Sequence, residues 1–186
     1  MALEEMVAVV PESSLESFEA APQEEQFLQV YLDGDLSILL PVKTLVEIIK
    51  LPIDQVVPMF QMAPWVMGVY NCRGEVLWMI DLNHFLGLSP WYEQDNPTTK
   101  HTSVVIKAPP SEESWTRDNR PTLGLIVNRV EGMVSCPVEA VQPLPEGSAG
   151  PGLVPFVSGV WQTGTGVAHL ILDSTAILRA AARLES

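Results

Sequence analysis

Residues 64–82, Pro64-Trp65-Val66-Met67-Gly68-Val69-Tyr70-Asn71-Cys72-Arg73-Gly74-Glu75-Val76-Leu77-Trp78-Met79-Ile80-Asp81-Leu82, decide the fold. Trp65 to Tyr70 is one apolar run and Val76 to Leu82 is another, with the polar break Asn71-Cys72-Arg73-Gly74-Glu75 between them. Two apolar runs of strand length, split by a short segment holding Asn and Gly, read as a β-hairpin. The pattern sets Arg73 at the tip, where a permanently charged guanidinium keeps its water. A stiff, buried support therefore ends in one cation, which serves either solubility or a partner.

Upstream, Phe27–Leu32 reads as a strand, Asp33-Gly34-Asp35 as a tight turn and Leu36–Leu40 as the returning strand. Leu45–Ile49 is an aliphatic run interrupted by one carboxylate, Glu47, which belongs on a wet face or at an exposed edge. Pro52, Pro58 and Pro64 punctuate the approach to the hairpin. Downstream, Asp81–Gly87 reads as a helical turn capped by Asp81, Thr102–Ile106 as a strand and 108–121 as a loop. Leu123–Val127 and Val130–Val134 are strands too close together for a full reversal at Asn128-Arg129, so a bend or bulge is expected. Pro143–Pro155 is a Pro/Gly-rich loop, Phe156–Trp161 and Val167–Leu172 form a last hairpin, and Ser174 is the expected cap of a helix over Thr175–Leu184. About ten short strands and one terminal helix point to an all-β barrel or sandwich rather than βαβ units.

Sixteen prolines and twelve glycines in 186 residues disfavour long helices, and an apolar fraction of 47% is enough for a core. The net charge of −13 argues against nucleic acid and against anionic membrane surfaces, both of which select clustered Lys and Arg. Seven glutamates and no Lys or Arg in residues 1–25 suggest a disordered acidic tail, with strand addition by Met6–Val10 as the alternative. No run approaches a membrane span, Glu4 and Glu5 do not suit a signal peptide, and two distant cysteines suit a reduced, cytoplasmic setting.

No metal-ligand spacing or phosphate loop is present, so neither metal nor cofactor is expected. Cys72, Asp81 and His84 could make a nucleophilic set, but Cys72 reads better as a small apolar filler at the hairpin end. His169 sits in an apolar strand, where pairing through one ring nitrogen is expected. Met59, Phe60, Met62, Trp65 and Trp78 either fill a core shared by two subdomains or line a groove.

Gly68-Val69-Tyr70-Asn71-Cys72-Arg73-Gly74-Glu75-Val76 and Ile80-Asp81-Leu82 are similar to the G-V-x-N-L-R-G-x-V-x-P-V-I-D-L segment of CheW-type coupling proteins of bacterial chemosensory systems. Leu40-Pro41-Val42, Val46-Glu47-Ile48-Ile49, Val57-Pro58, Gly124–Val127, Gly159-Val160 and Leu170–Asp173 match that family in the same order. The resemblance implies a non-catalytic CheW-like domain over 26–184. It would consist of two five-stranded SH3-like barrels near 26–95 and 100–175 that share a core, with a terminal helix at 174–184. It implies an adaptor between a chemoreceptor's cytoplasmic hairpin tip and the regulatory domain of a CheA-type histidine kinase, recruited to membrane receptor arrays without inserting in the membrane. Arg73, with Asn71, Gly74 and Gly68, would face the receptor. Glu47, with Leu45 and Ile48, would face the kinase, and a second kinase-like contact would involve Val127, Asn128 and Val130. A module that sequesters a kinase without any receptor is the alternative. Cys72 stands where the family usually has Leu, Trp78 where it has Pro, Asn128 where it has Asp, and Gly132 where it has an acidic residue.

Overall fold

Alternation along the strands divides the apolar residues of this chain among three cores. The computed structural model describes residues 23–94, 100–113, 115–116 and 119–183. Its strands are β1 (Glu24–Tyr31), β2 (Ser37–Pro41), β3 (Leu45–Pro52), β4 (Val66–Cys72), β5 (Glu75–Asp81), β6 (Lys100–Lys107), β7 (Thr122–Val127), β8 (Arg129–Pro137), β9 (Val141–Gln142), β10 (Val157–Gln162) and β11 (Ala168–Leu172). Helices α1 (Leu82–Phe85) and α2 (Ser174–Ala182) follow β5 and β11 directly. The first sheet runs β8-β1-β2-β11-β10-β9 and the second β3-β6-β7-β5-β4.

Successive residues of a strand face opposite sides, so one strand feeds two cores. Leu28, Val30, Ile38, Leu40 and Leu172 of the first sheet meet Ile80, Val104, Ile106, Leu123 and Leu125 of the second in a shared core. The intervening residues Phe27, Leu39 and Ile171 join Cys136 inside the first sheet. Leu51, Leu77, Met79, Val105 and Ile126 fill the second. Strands buried on both faces read as continuous apolar runs, which is what β2 and β7 show, whereas β6 buries His101, Thr102 and Ser103 ahead of Val104–Ile106.

Both sheets close by the same device. After β3 a short turn, Ile53–Gln55, leads to Val57, which bridges Val69 of β4. After β8 an equivalent turn, Val138–Ala140, leads to β9, which pairs with β10. The registers extend this likeness across the chain. β2 runs parallel to β11 with Ile38 opposite Leu170, as β7 runs parallel to β5 with Leu123 opposite Trp78. Counterparts follow position by position: Ile38 with Leu123, Leu45 with Val130, Pro52 with Pro137 and Val57 with Gln142. Bulges recur beside Gly68 and Gly159, and the N–H groups of Asp81 and Asp173 are both taken by carbonyls, those of Trp65 and Phe156. The chain is thus two repeats that exchange hairpins. β1–β2 of the first repeat completes the sheet of the second, and β6–β7 of the second completes that of the first.

This corrects the expected subdomain limits. The ranges 26–95 and 100–175 follow the two repeats, whereas each sheet draws strands from both, because β1 and β2 find their partners β8 and β11 in the far half of the chain. Order also begins earlier than Phe27: Glu24 and Glu25 belong to β1 opposite Pro137 and Cys136, and Lys43 pairs with Glu25 at 2.7 Å. The rest of the expected tail, including Met6–Val10, lies outside the described residues. A second correction concerns α2. Its cap is Asp173, which accepts from Thr175 N at 2.9 Å and Ala176 N at 3.0 Å, while the Ser174 hydroxyl is buried. Asp is as good a cap as Ser, and Asp81 caps α1 in the same way, accepting from Asn83 N.

Candidate interaction site

The β4–β5 hairpin turns through two residues only, with Cys72 opposite Glu75. Arg73 has φ +54 and Gly74 φ +92, the positive pair that a two-residue turn needs to match the twist of its strands. Glycine takes such a φ freely; for Arg73 it costs on the order of 1 kcal/mol. The Asn71 side chain offsets part of that by accepting from Gly74 N at 2.9 Å, so its Oδ1 is committed to holding the tip. Gly68 serves the other end of β4. It is buried at φ +138, and a Cβ there would lie 2.1 Å from Val57 O. Gly68 therefore admits the closing strand and offers no side chain to a partner.

Arg73 is at the tip, as the hairpin pattern predicts, but it is not a lone cation. Its Nη2 donates to Glu47 Oε2 at 3.0 Å, with the arginine side chain 81% exposed and the glutamate 26%. So exposed a pair contributes under about 1 kcal/mol to folding. The other Glu47 oxygen lies 3.9 Å from Cys72 Sγ. The residues expected to face receptor and kinase thus meet in one ion pair. Around it, β3 carries a bulge between Leu45 and Glu47, which turns Val46 outward at 52% exposure. Ile48 is exposed as well, while Leu45 packs on the shared core. Val76, beyond the tip, is 70% exposed.

A groove of about 1030 Å³ runs beside the pair, with Val46, Met62, Arg73, Val76, Trp78 and Trp115 among its walls. Met62 and Trp78 thus answer the question left by the sequence in favour of a groove, though Trp78 also packs against the shared core. Trp65 fills that core, 4.8 Å from Phe85, which lies 4.7 Å from Phe156 of the second repeat. The 108–121 loop supplies Trp115 and is tied to α2 by an ion pair of Glu112 with Arg179. Repetition of pattern gives no hint of this loop's contacts, and no local signal in the sequence marks Glu112 for Arg179.

The second expected contact lies where the chain passes from β7 in one sheet to β8 in the other. Asn128 is the crossing residue, which is why two residues sufficed without a reversal. Its N–H donates to Tyr31 O at 3.1 Å, its Oδ1 accepts from Asn83 at 2.9 Å and its Nδ2 donates to Gln94 at 2.8 Å. Asn83 Oδ1 in turn accepts from Asp33 N at 2.8 Å, so the corner binds the two sheets together. Asn128 is exposed, but Val127 is 3% exposed and Val130 packs on the shared core. Val127 supports the corner from within, because the run Leu123–Val127 is buried on both faces.

Cys72, Asp81 and His84 do not assemble. Cys72 stands at one end of the hairpin and Asp81 at the other, six residues along β5 from Glu75, or roughly 20 Å. Asp81 also spends its oxygens on Asn83 N and Trp91 N. His169 pairs through Nδ1, 2.7 Å from Ser37 Oγ, and burial holds its pKa below the usual 6.5. Ser37 and Tyr31 both accept from Gln29, and Trp161 stacks on the His169 ring at 5.5 Å.

The model of the CheW-like domain matches residues 26–182, nearly all of the described chain. The chain belongs to the CheW-like domain family. Over 82 residues it is 33% identical to a "Probable chemotaxis protein CheW" of Rhizobium etli, a match covering 44% of this chain and 44% of that protein. Its fold is similar to the crystal structure of the scaffolding protein TtCheW from Thermoanaerobacter tengcongensis, with a TM-score of 0.62 at 16% identity over 81% of this chain and 90% of that one. Two SH3-like barrels on a shared core are therefore the architecture of this CheW-like chain. Among the described residues no helix is long and apolar enough to cross a membrane.

Proposed function

We propose that this chain is a non-catalytic adaptor that couples a chemoreceptor of the methyl-accepting type to a CheA-type histidine kinase. The observation that carries this reading is the groove beside the Arg73–Glu47 pair, with exposed Val46 and Val76 at its rim. The cytoplasmic hairpin tip of the receptor occupies the groove, with Arg73 as its polar contact. The regulatory domain of the kinase lies along β3 at Glu47 and Ile48, and a second such contact forms at the Asn128 corner. A shift of the receptor then changes how the adaptor holds the kinase, and kinase activity follows from that difference in binding. The output is motility, whether chemotaxis, phototaxis or pilus-driven movement.

Arg73→Ala tests this. We expect receptor-fragment binding to weaken by about 1–3 kcal/mol, the range for loss of a charged interface contact. Stability should change by less than about 0.5 kcal/mol, since the pair is exposed. Receptor affinity that stays at the wild-type value in a calorimetric titration refutes the assignment.

A further inference from the structure

The connection from Val57 to Pro64 ends in solvent. Phe60 is 94% exposed, and Val57 and Met59 beside it are exposed too. No charged residue occurs from Gln55 to Tyr70, in a chain whose net charge is −13. Yet the base of this connection is fixed. Val57 N donates to Val69 O at 2.8 Å and Val69 N returns the bond to Val57 O at 2.9 Å, the close approach that Gly68 permits. Near the tip, Gln61 holds φ +62, a left-handed conformation that residues other than glycine seldom adopt.

The other repeat offers a contrast. Its longer connection, from Gln142 to Phe156, turns Leu153 into the shared core. Phe60, on the shorter connection, stays outside. Met62, two residues further on, lines the groove beside Arg73. The apolar wall of the groove therefore continues along the chain into the Phe60 tip.

We propose that Phe60 is an apolar anchor for the receptor helix that enters the groove, gripping its apolar stripe just beyond the groove's end. The inference rests on the receptor-binding reading above and adds the face the partner must show. That partner is an amphipathic helix whose apolar residues repeat at helical spacing past the part touching Arg73. An uncharged flank suits such a stripe, because it brings no ionised group that would have to lose water on contact. A large aromatic held on a fixed loop also loses little freedom on binding.

The full chain carrying Phe60→Ser is titrated with a receptor hairpin-tip fragment from the same genome, and separately with the regulatory domain of the kinase. We expect about tenfold weaker receptor binding, typical of a buried aromatic anchor. Kinase affinity, oligomeric state and melting temperature should not move, because Phe60 is 94% exposed. Receptor affinity unchanged by Phe60→Ser overturns the anchor, as does a loss confined to kinase binding or to self-association. Receptor binding that falls with Arg73→Ala but not with Phe60→Ser overturns the anchor alone. Receptor binding indifferent to Arg73→Ala overturns the groove reading beneath it.

Discussion

The two repeats have the same framework and differ in what they carry on it. In the first, the hairpin turns in two residues and brings Arg73 to Glu47. In the second, the equivalent hairpin closes through the longer segment Thr163–Val167, whose Thr163 and Thr165 bond each other at 2.8 Å. The counterpart of Glu47 is Gly132, so the second repeat has no carboxylate to pair there. Inside the barrels the contrast is reversed. Leu77 fills the second sheet where its counterpart His169 plugs the first, with Ser37 and Gln29. What the repeats share is therefore framework: the closing turn, the bulge beside a glycine and the aspartate cap. What they do not share marks where each has been specialised, one on its surface and the other in its interior.

Separating the repeats should have the largest effect. Produced alone, residues 24–94 and 100–183 should each be unfolded by circular dichroism, because each sheet would lack the hairpin it borrows. Mixed, they should regain β structure. An independently folded half would break the comparison at its root. Capping comes next. Asp81→Ala and Asp173→Ala remove matching caps, each worth about 0.5–2 kcal/mol. Asp81 also holds Trp91 N at 2.9 Å, so its loss should be the greater of the two in urea titrations. Equal losses would mean that the Trp91 contact adds nothing.

The smallest effect is that of pH. Burial lowers the pKa of His169, and also that of His101, where Asp81 partly opposes the shift. A histidine whose folded pKa lies below its unfolded value of 6.5 binds fewer protons in the folded state. Its contribution is thus complete above pH 6.5 and lost as pH falls toward the folded pKa, at up to about 1.4 kcal/mol per pH unit. Urea midpoints should be level from pH 8 to 7 and decline below pH 6.5. His169→Leu, which gives the first barrel the residue of the second, should flatten the decline while costing stability at neutral pH through the lost hydrogen bond to Ser37. A decline as steep as in the wild type would show that His169 does not drive it.

Much of this molecule is legible in its sequence. The strands are there in the alternation, the central hairpin in Asn71–Glu75, and the family in the ordered segments from Leu40-Pro41-Val42 to Leu170–Asp173. The exchange of hairpins is not, because alternation says that β1 has two faces to bury without saying which strands it will lie beside. The repeat is hidden for a related reason. Between 37–57 and 122–142 the identities are Leu40/Leu125, Val42/Val127, Pro52/Pro137 and Val56/Val141, all of them residues that packing or a turn would select anyway. The ion pair is out of reach as well, since Arg73 and Glu47 are 26 residues apart and β3 pairs with neither strand of the hairpin that carries Arg73. Exposure is not legible either: Leu45, Gly68, Val127 and Val130 all turn inward, because a short apolar strand gives no sign of which face is wet.

The exchanged hairpins also set a timetable for biosynthesis. β2 leaves the ribosome well over a hundred residues before its parallel partner β11, with Ile38 lying opposite Leu170. At ordinary elongation speeds, roughly 5–20 residues per second, the early hairpin waits on the order of ten seconds for the strand that completes its sheet. Until then the β2 edge has no strand to pair with, and the first sheet cannot close before β11 has been made.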